Sequence, residues 1–132
     1  MALLCYCTSL RNAARRVSAA YDAALAPIGV GAAQFAMIRA LDTDEPIALT
    51  TLGNLLDLDR STVGRNVKVL DKMGLVVLGT GMDQRETTVE LSTAGRKILK
   101  TGAPLWEKAQ REFEVKMGAK VAPKFRDVLQ SL

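Results

Sequence analysis

The stretch from residue 50 to residue 91 constrains the fold most, because helix, turn and strand signals follow one another there with almost no slack. Thr50 is a suitable N-cap, and Leu52, Leu55 and Leu56 mark the apolar face of a short helix over residues 51–56. Asp57 follows as a turn residue, since aspartate accepts tight local conformations. Leu58 packs inward, and Asp59 stands where it would cap a second helix over residues 60–73. Gly74 stops that helix, because glycine enters the left-handed region at little cost. The β-branched run 75–78 reads as a strand, residues 79–84 as a turn, and the alternating residues 87–91 as a returning strand. Helix, tight turn, helix and hairpin in this order predict a winged helix-turn-helix, whose second helix is the one that enters a major groove.

Helical spacing flanks this segment on both sides. Residues 9–25 repeat Leu10, Ala13, Val17, Tyr21 and Leu25 at helical steps, with Ser9 as the expected cap and Pro27 and Gly29 as the stop. A second helix over 32–41 turns Phe35, Ile38 and Leu41 inward, and a polar turn and an apolar hinge at 47–49 follow. Beyond the hairpin, Ser92 and Thr93 cap a long helix that Pro104 is expected to kink or interrupt. Spacing resumes through Leu105, Trp106, Phe113 and Met117, and a last helix over 121–132 carries Phe125, Val128 and Leu129. The expected class is mainly α with a small β-hairpin wing. All 132 residues form a single domain, with a DNA-binding lobe over 45–99 and helical dimerisation regions over 1–44 and 100–132. The terminal helices carry more apolar surface than one small lobe covers, which predicts a homodimer with two recognition helices about 34–36 Å apart.

Composition narrows the function classes. The net charge of +4 suits a polyanionic partner, although charge alone does not choose a fold. There is no histidine, so the commonest general base and metal ligand is missing, and two cysteines one residue apart supply no four-ligand metal site. No metal, no cofactor and no enzyme activity are therefore expected. The uncharged stretch 23–38 is broken by Pro27, Gly29 and Gly31 and is too short for a membrane span. The apolar residues 1–7 lack the basic residue and cleavage site of a secretory signal, so a cytoplasmic protein is expected.

Within residues 60–73, Val63, Val67, Leu70 and Gly74 trace one stripe, which leaves Arg60, Ser61, Gly64, Arg65 and Lys68 on the other side, with Thr62 flanking them. Arginine pairs with guanine in bidentate fashion, and hydroxyls hold phosphates. Between residues 60 and 85 five cations (Arg60, Arg65, Lys68, Lys72, Arg85) face two anions (Asp71, Asp83), a local excess of three. Arg85, at the hairpin tip, is within reach of the adjacent minor groove. Taken singly, each of these residues is equally well a solvated surface position.

Three runs carry a family resemblance: Leu58-Asp-Arg-Ser-Thr-Val-Gly-Arg-Asn66, Lys72-Met-Gly-Leu-Val76 and Asp83-Gln-Arg-Glu-Thr-Thr-Val-Glu-Leu-Ser-Thr-Ala-Gly95. Together they resemble the MarR family of winged-helix regulators, and the similarity extends weakly over nearly the whole chain. The resemblance implies a homodimer that binds a short pseudo-palindrome in double-stranded DNA, usually as a repressor. It implies DNA contacts at Ser61, Thr62 and Arg65 on the helix and at Arg85 on the wing, with Asp83 bracing the wing as a partner for a nearby arginine. It also implies a small aromatic effector, for which Tyr21, Phe35 and Trp106 are candidate lining residues and, more simply, core. Two positions depart from the family pattern: Gly64 stands where a hydroxyl residue is common, and Asp57 replaces a turn glycine.

Cys5 and Cys7 invite a redox-sensing role, since some members of the resembled family sense oxidants through an N-terminal cysteine. Sensing requires exposure and a depressed thiol pKa, whereas the neighbouring Leu3 and Leu4 suggest an apolar, inert setting. Two other classes compete with DNA binding. A winged-helix module that binds only protein would cover its basic face, and a thiol redox enzyme would need an accompanying active-site motif that the chain lacks.

Overall fold

The periodic apolar positions converge on one core. In a computed structural model, which describes residues 4–132, the chain forms α1 (Tyr6–Leu25), a 3₁₀ turn (Ala26–Ile28) and α2 (Ala32–Ala40). Next come β1 (Ile47–Ala48), α3 (Leu49–Leu56), α4 (Arg60–Lys72), β2 (Val76–Thr80) and β3 (Thr87–Leu91), then α5 (Thr93–Met117) and α6 (Ala122–Ser131). The mainly helical class with a hairpin wing is observed. Of the apolar stretch 1–7, the first three residues lie outside the described residues.

Leu25, Phe35, Ile38, Leu41, Leu52, Leu70 and Val89 are fully buried, so α1, α2, α3, α4 and β3 all feed the same interior. Burial of each such side chain stabilises the fold by about 1.5–3 kcal/mol relative to leaving it in water. The sheet has three strands in the order β1-β3-β2, all antiparallel. The expected hinge at 47–49 is in part a strand: Ile47 pairs with Val89 and Ala48 with Thr88. Two residues are too few to show alternation, so only the partner strand reveals this one. The cap of α3 is Ala48 rather than Thr50, because the chain passes directly from β1 into the helix. Leu55 is 61% exposed instead of buried, since of the three leucines expected inward on the short α3 only Leu52 is fully buried.

Helix α1 begins three residues before the expected cap, placing Ser9 inside it. Asp22, one turn before its end, accepts the Ala32 N–H at 2.6 Å and so satisfies a free donor at the start of α2. Asp57 adopts the left-handed conformation at φ 53°, as a residue between two tightly joined helices must. Asp59 accepts the Thr62 N–H at 2.7 Å and the Ser61 hydroxyl at 3.2 Å, and these bonds hold its carboxyl below the usual aspartate range, Thr62 contributing most.

Pro104 does not interrupt α5, which runs unbroken for 25 residues across the expected lobe boundary at 99/100. Proline forfeits one backbone bond, while packing on both sides of it holds the helix together: Ile98, Leu99, Leu105 and Trp106 all lie against the core. Two residues earlier, Gly102 lets the ring of Phe35 nest against the helix. A Cβ there would overlap Cε1 of Phe35 and lie 2.7 Å from Cδ1 of Ile28.

Gly102→Ala is therefore expected to destabilise the protein by about 1–3 kcal/mol through overpacking, read from urea unfolding, because the fully buried Phe35 has nowhere to move. For Asp59 the sign follows from its lowered pKa: its stabilising contribution is complete above the ordinary aspartate range near about 4 and is lost as pH falls through the folded value. Asp59→Asn caps without titrating in that range. The stability difference between native protein and this variant should accordingly shrink in favour of the variant on acidification below about pH 4, measured by melting temperature against pH.

Candidate nucleic-acid interface

Helix α4 divides its residues cleanly. Val63, Val67 and Leu70 are buried to 2% or less and anchor it against the core, with α3 and β2 as its main packing partners. Arg60, Ser61, Arg65 and Lys68 are exposed, and Thr62 and Gly64 are half-buried beside them. A Cβ at Gly64 would meet nothing within 4 Å, so this point of the face is open space. The Arg65 guanidinium rests 3.4 Å from the Thr62 hydroxyl, a weak contact that aligns the two along the helix.

The electrostatics of this face are uncompensated. Among the described residues the one ion pair joins Lys108 to Glu112 at 3.9 Å on α5. Arg60, Arg65, Lys68, Lys72 and Arg85 thus have no carboxylate partner within salt-bridge distance. Asp59, adjacent to Arg60, is directed to the helix N-terminus, where its bonds go to Ser61 and Thr62. Neither Asp71 beside Lys72 nor Glu86 beside Arg85 forms an ion pair among the described residues. The free end of α4 also presents backbone N–H groups, so the helix start combines a partial positive charge with cationic side chains.

The wing closes through Gly81 N–H to the Glu86 carbonyl at 2.9 Å and Glu86 N–H to the Asp83 carbonyl at 2.8 Å. Arg85 is exposed at the tip. The Asp83 carboxylate accepts the backbone N–H of Arg85 at 3.1 Å, and no arginine side chain pairs with it among the described residues. Its observed contact therefore shapes the turn that carries Arg85. Met82, passed over in the sequence as one residue of a turn, stands fully exposed in the same loop. Only its neighbours Gly81 and Asp83 marked it beforehand as a tip position.

The remaining candidates are scattered. Cys5 and Cys7 are both exposed, against the apolar setting expected for them. Hydrogen bonding from Thr8 holds the Cys5 thiol below its ordinary pKa, and the Arg11 guanidinium lies 3.7 Å from Cys7 Sγ. Phe35 is consumed by the core, and Trp106 stacks under the Arg39 guanidinium at 3.6 Å. Tyr21 hydrogen-bonds Gln110 across α1 and α5, and burial raises its pKa, with Glu114 adding to the effect, so the phenol stays a donor. The three aromatic residues thus serve different contacts. Tyr21 also lines an open groove of about 720 Å³ between α1, α5 and α6, with Leu10, Val17, Phe113, Phe125 and Leu129. No group of three or more metal-ligating side chains occurs among the described residues, and no single helix there is long and apolar enough to cross a membrane.

Comparison with known proteins agrees with this architecture. The model of the MarR family matches residues 28–86, which span α2, the helix-turn-helix and the first half of the wing. No curated protein sequence matches the chain. Among solved structures, the M. tuberculosis transcriptional regulator MosR, crystallised in complex with DNA, is 31% identical with a TM-score of 0.84, covering 96% of this chain and 95% of its own. A probable transcriptional regulator from Pseudomonas aeruginosa is 27% identical with a TM-score of 0.87, over 96% and 95% of the two chains. An E. coli MarR mutant complexed with operator DNA shares the fold at a TM-score of 0.84 and 20% identity, over 94% and 90%. With its capped helix, its hairpin and its flanking helices matched over almost their full length, the chain belongs to the MarR family of winged-helix transcriptional regulators.

Proposed function

We infer that this chain is a cytoplasmic, sequence-specific regulator that binds double-stranded DNA as a homodimer on a pseudo-palindromic operator and represses transcription from it. The observation that carries the reading is the face of α4 opposite the buried apolar stripe, where the exposed Arg60, Arg65 and Lys68 form no ion pair among the described residues and stand with exposed Ser61 and half-buried Thr62. Arg65 is placed for bidentate base contact, Ser61 and Thr62 for phosphate or base contact near the helix start, and Lys68 for phosphate. Arg85 reads the adjacent minor groove, on a turn braced by Asp83. A protein-only module would instead show no duplex affinity that falls steeply with salt.

Surface area supports the two-fold state. The chain exposes 9609 Å², whereas a folded monomer of 14.2 kDa is expected to expose about 6,800 Å². The excess, about 2,800 Å² per chain and so about 5,600 Å² for a pair, is at the upper end of what permanent dimers bury in total. Helix α6 buries none of its residues fully, and Val128, Leu129 and Leu132 join Leu10 and Val115 as exposed apolar side chains of the terminal helices. A second copy covering this face brings two α4 helices to one duplex. The same resemblance that supports repression also supports relief by a small aromatic effector.

A second reading concerns control. Exposure of both thiols, the lowered pKa of Cys5 and the guanidinium beside Cys7 favour oxidant sensing at the start of α1. A peroxide would oxidise one thiolate to a sulfenic acid, with its second oxygen leaving as water, and the other thiol would displace a further water to form a disulfide.

On a duplex selected from a random pool, Arg65→Ala is expected to weaken binding by about 1–3 kcal/mol and to relax base preference. Arg85→Ala should weaken binding with a smaller loss of discrimination, and the native affinity should fall steeply with salt. Unchanged affinity of both variants in a fluorescence-anisotropy titration at moderate salt would contradict the assignment. For the cysteines, iodoacetamide is expected to alkylate the native protein near neutral pH at Cys5 faster than a free thiol of ordinary pKa; a native protein that resists labelling removes the sensing role.

A further inference from the structure

The C-terminus of α4 closes in a Schellman turn. Gly74, at φ 76°, donates its N–H to the Asp71 carbonyl at 2.9 Å, and Leu75 donates to the Leu70 carbonyl at 3.0 Å. The carbonyls of Gly74 and Leu75 are then both taken by one residue from the far side of the wing. The Ser92 hydroxyl donates to Gly74 O at 2.6 Å, and the Ser92 N–H donates to Leu75 O at 3.0 Å. The same hydroxyl oxygen accepts the Gly95 N–H at 3.0 Å, making Ser92 the N-cap of α5. Its predecessor Leu91 pairs with Val76 at the base of the hairpin. One serine therefore joins the end of the recognition helix, the root of the wing and the start of the helix that carries the apolar outer face.

This junction matters because α4 has its main contacts with α3 and β2, while α5 has its own with α1, α2 and β3. The fit is close: a Cβ on Gly95 would overlap the Leu75 carbonyl oxygen. An N-cap needs only an acceptor. Ser92 is also a donor across to another element, and that second bond adds nothing to α5 as a helix. Leverage is large, since α4 has 13 residues and is about 20 Å long. A rotation of about 10° at Gly74 moves its far end by about 3 Å, close to the rise of one base pair, roughly 3.4 Å.

We propose that Ser92 is a positioning residue for DNA recognition, whose hydroxyl clamps α4 and the wing to α5 and thereby sets the half-site spacing that the dimer accepts. The proposal rests on the two-fold DNA-binding reading above, and the experiment separates the two. Binding is measured on duplexes whose half-sites lie at the preferred spacing and at one base pair more or less. The native protein is expected to prefer its own spacing by about tenfold. Ser92→Asp keeps the acceptor that caps α5 but cannot donate to Gly74 at neutral pH, so it should hold its helical circular dichroism while the preference falls to about twofold or less. Ser92→Thr keeps both roles and should retain the preference. Ser92→Ala, which loses both, is read in parallel and should lose it. Retention of the full preference by Ser92→Asp or by Ser92→Ala overturns the clamp. A native protein indifferent to spacing overturns instead the two-fold reading on which the clamp stands.

Discussion

Burial of Val63, Val67 and Leu70 along one side of α4 is the constraint from which the functional geometry follows. A thirteen-residue helix has no independent stability in water, so it exists because this stripe is removed from solvent. Once the stripe is committed to the core, the helical repeat leaves no freedom for the rest. Arg60, Ser61, Arg65 and Lys68 must face outward together. Asp59 at one end and the Gly74 turn at the other then fix where the helix begins and stops, so the outward face is presented as a unit with defined limits.

The same interior governs the flanking helices, though it does not satisfy them. α5 packs closely from Gly95 through Gly102 to Ala109, and beyond Ala109 it buries no residue fully. α6 carries this further, with no residue fully buried. The chain thus buries one set of apolar side chains in the core that holds α4 and the wing, and leaves another set exposed on the terminal helices, the face proposed for a second copy. The proposed dimer and the proposed clamp at Ser92 are two consequences of that division, since the lobe must be held to the helices that lie outside it.

Charge follows the architecture rather than leading it. Among the described residues the cations of α4 and the wing form no ion pair, while two neighbouring acids are engaged locally: Asp59 with Thr62 N–H and the Ser61 hydroxyl at the start of α4, and Asp83 with Arg85 N–H within the wing turn. These two acids thereby shape the scaffold rather than pairing with the cations. Arg39 is used differently, stacked over Trp106 where α2 meets α5.

Much of this was legible in the residues alone. Asp59 as a cap, Gly74 as a stop, Ser92 as the next cap and the Val63–Val67–Leu70 stripe are local signals, because capping and helical periodicity act within a few residues and need no distant partner. β1 was not legible, since a two-residue strand exists only by pairing with Thr88 and Val89, forty residues later. Nor was the continuity of α5 through Pro104, which depends on packing contributed by α2 and the 3₁₀ turn, or the exposure of Leu55, Cys5 and Cys7. The sequence by itself determined where the helices of the lobe and the hairpin begin and end and which face of α4 is polar, for those depend on short-range spacing. Only the tertiary structure decided what each element leans on, and so that one hydroxyl at Ser92 ties recognition helix, wing and α5 together, because that bond spans 18 residues and no local pattern encodes it.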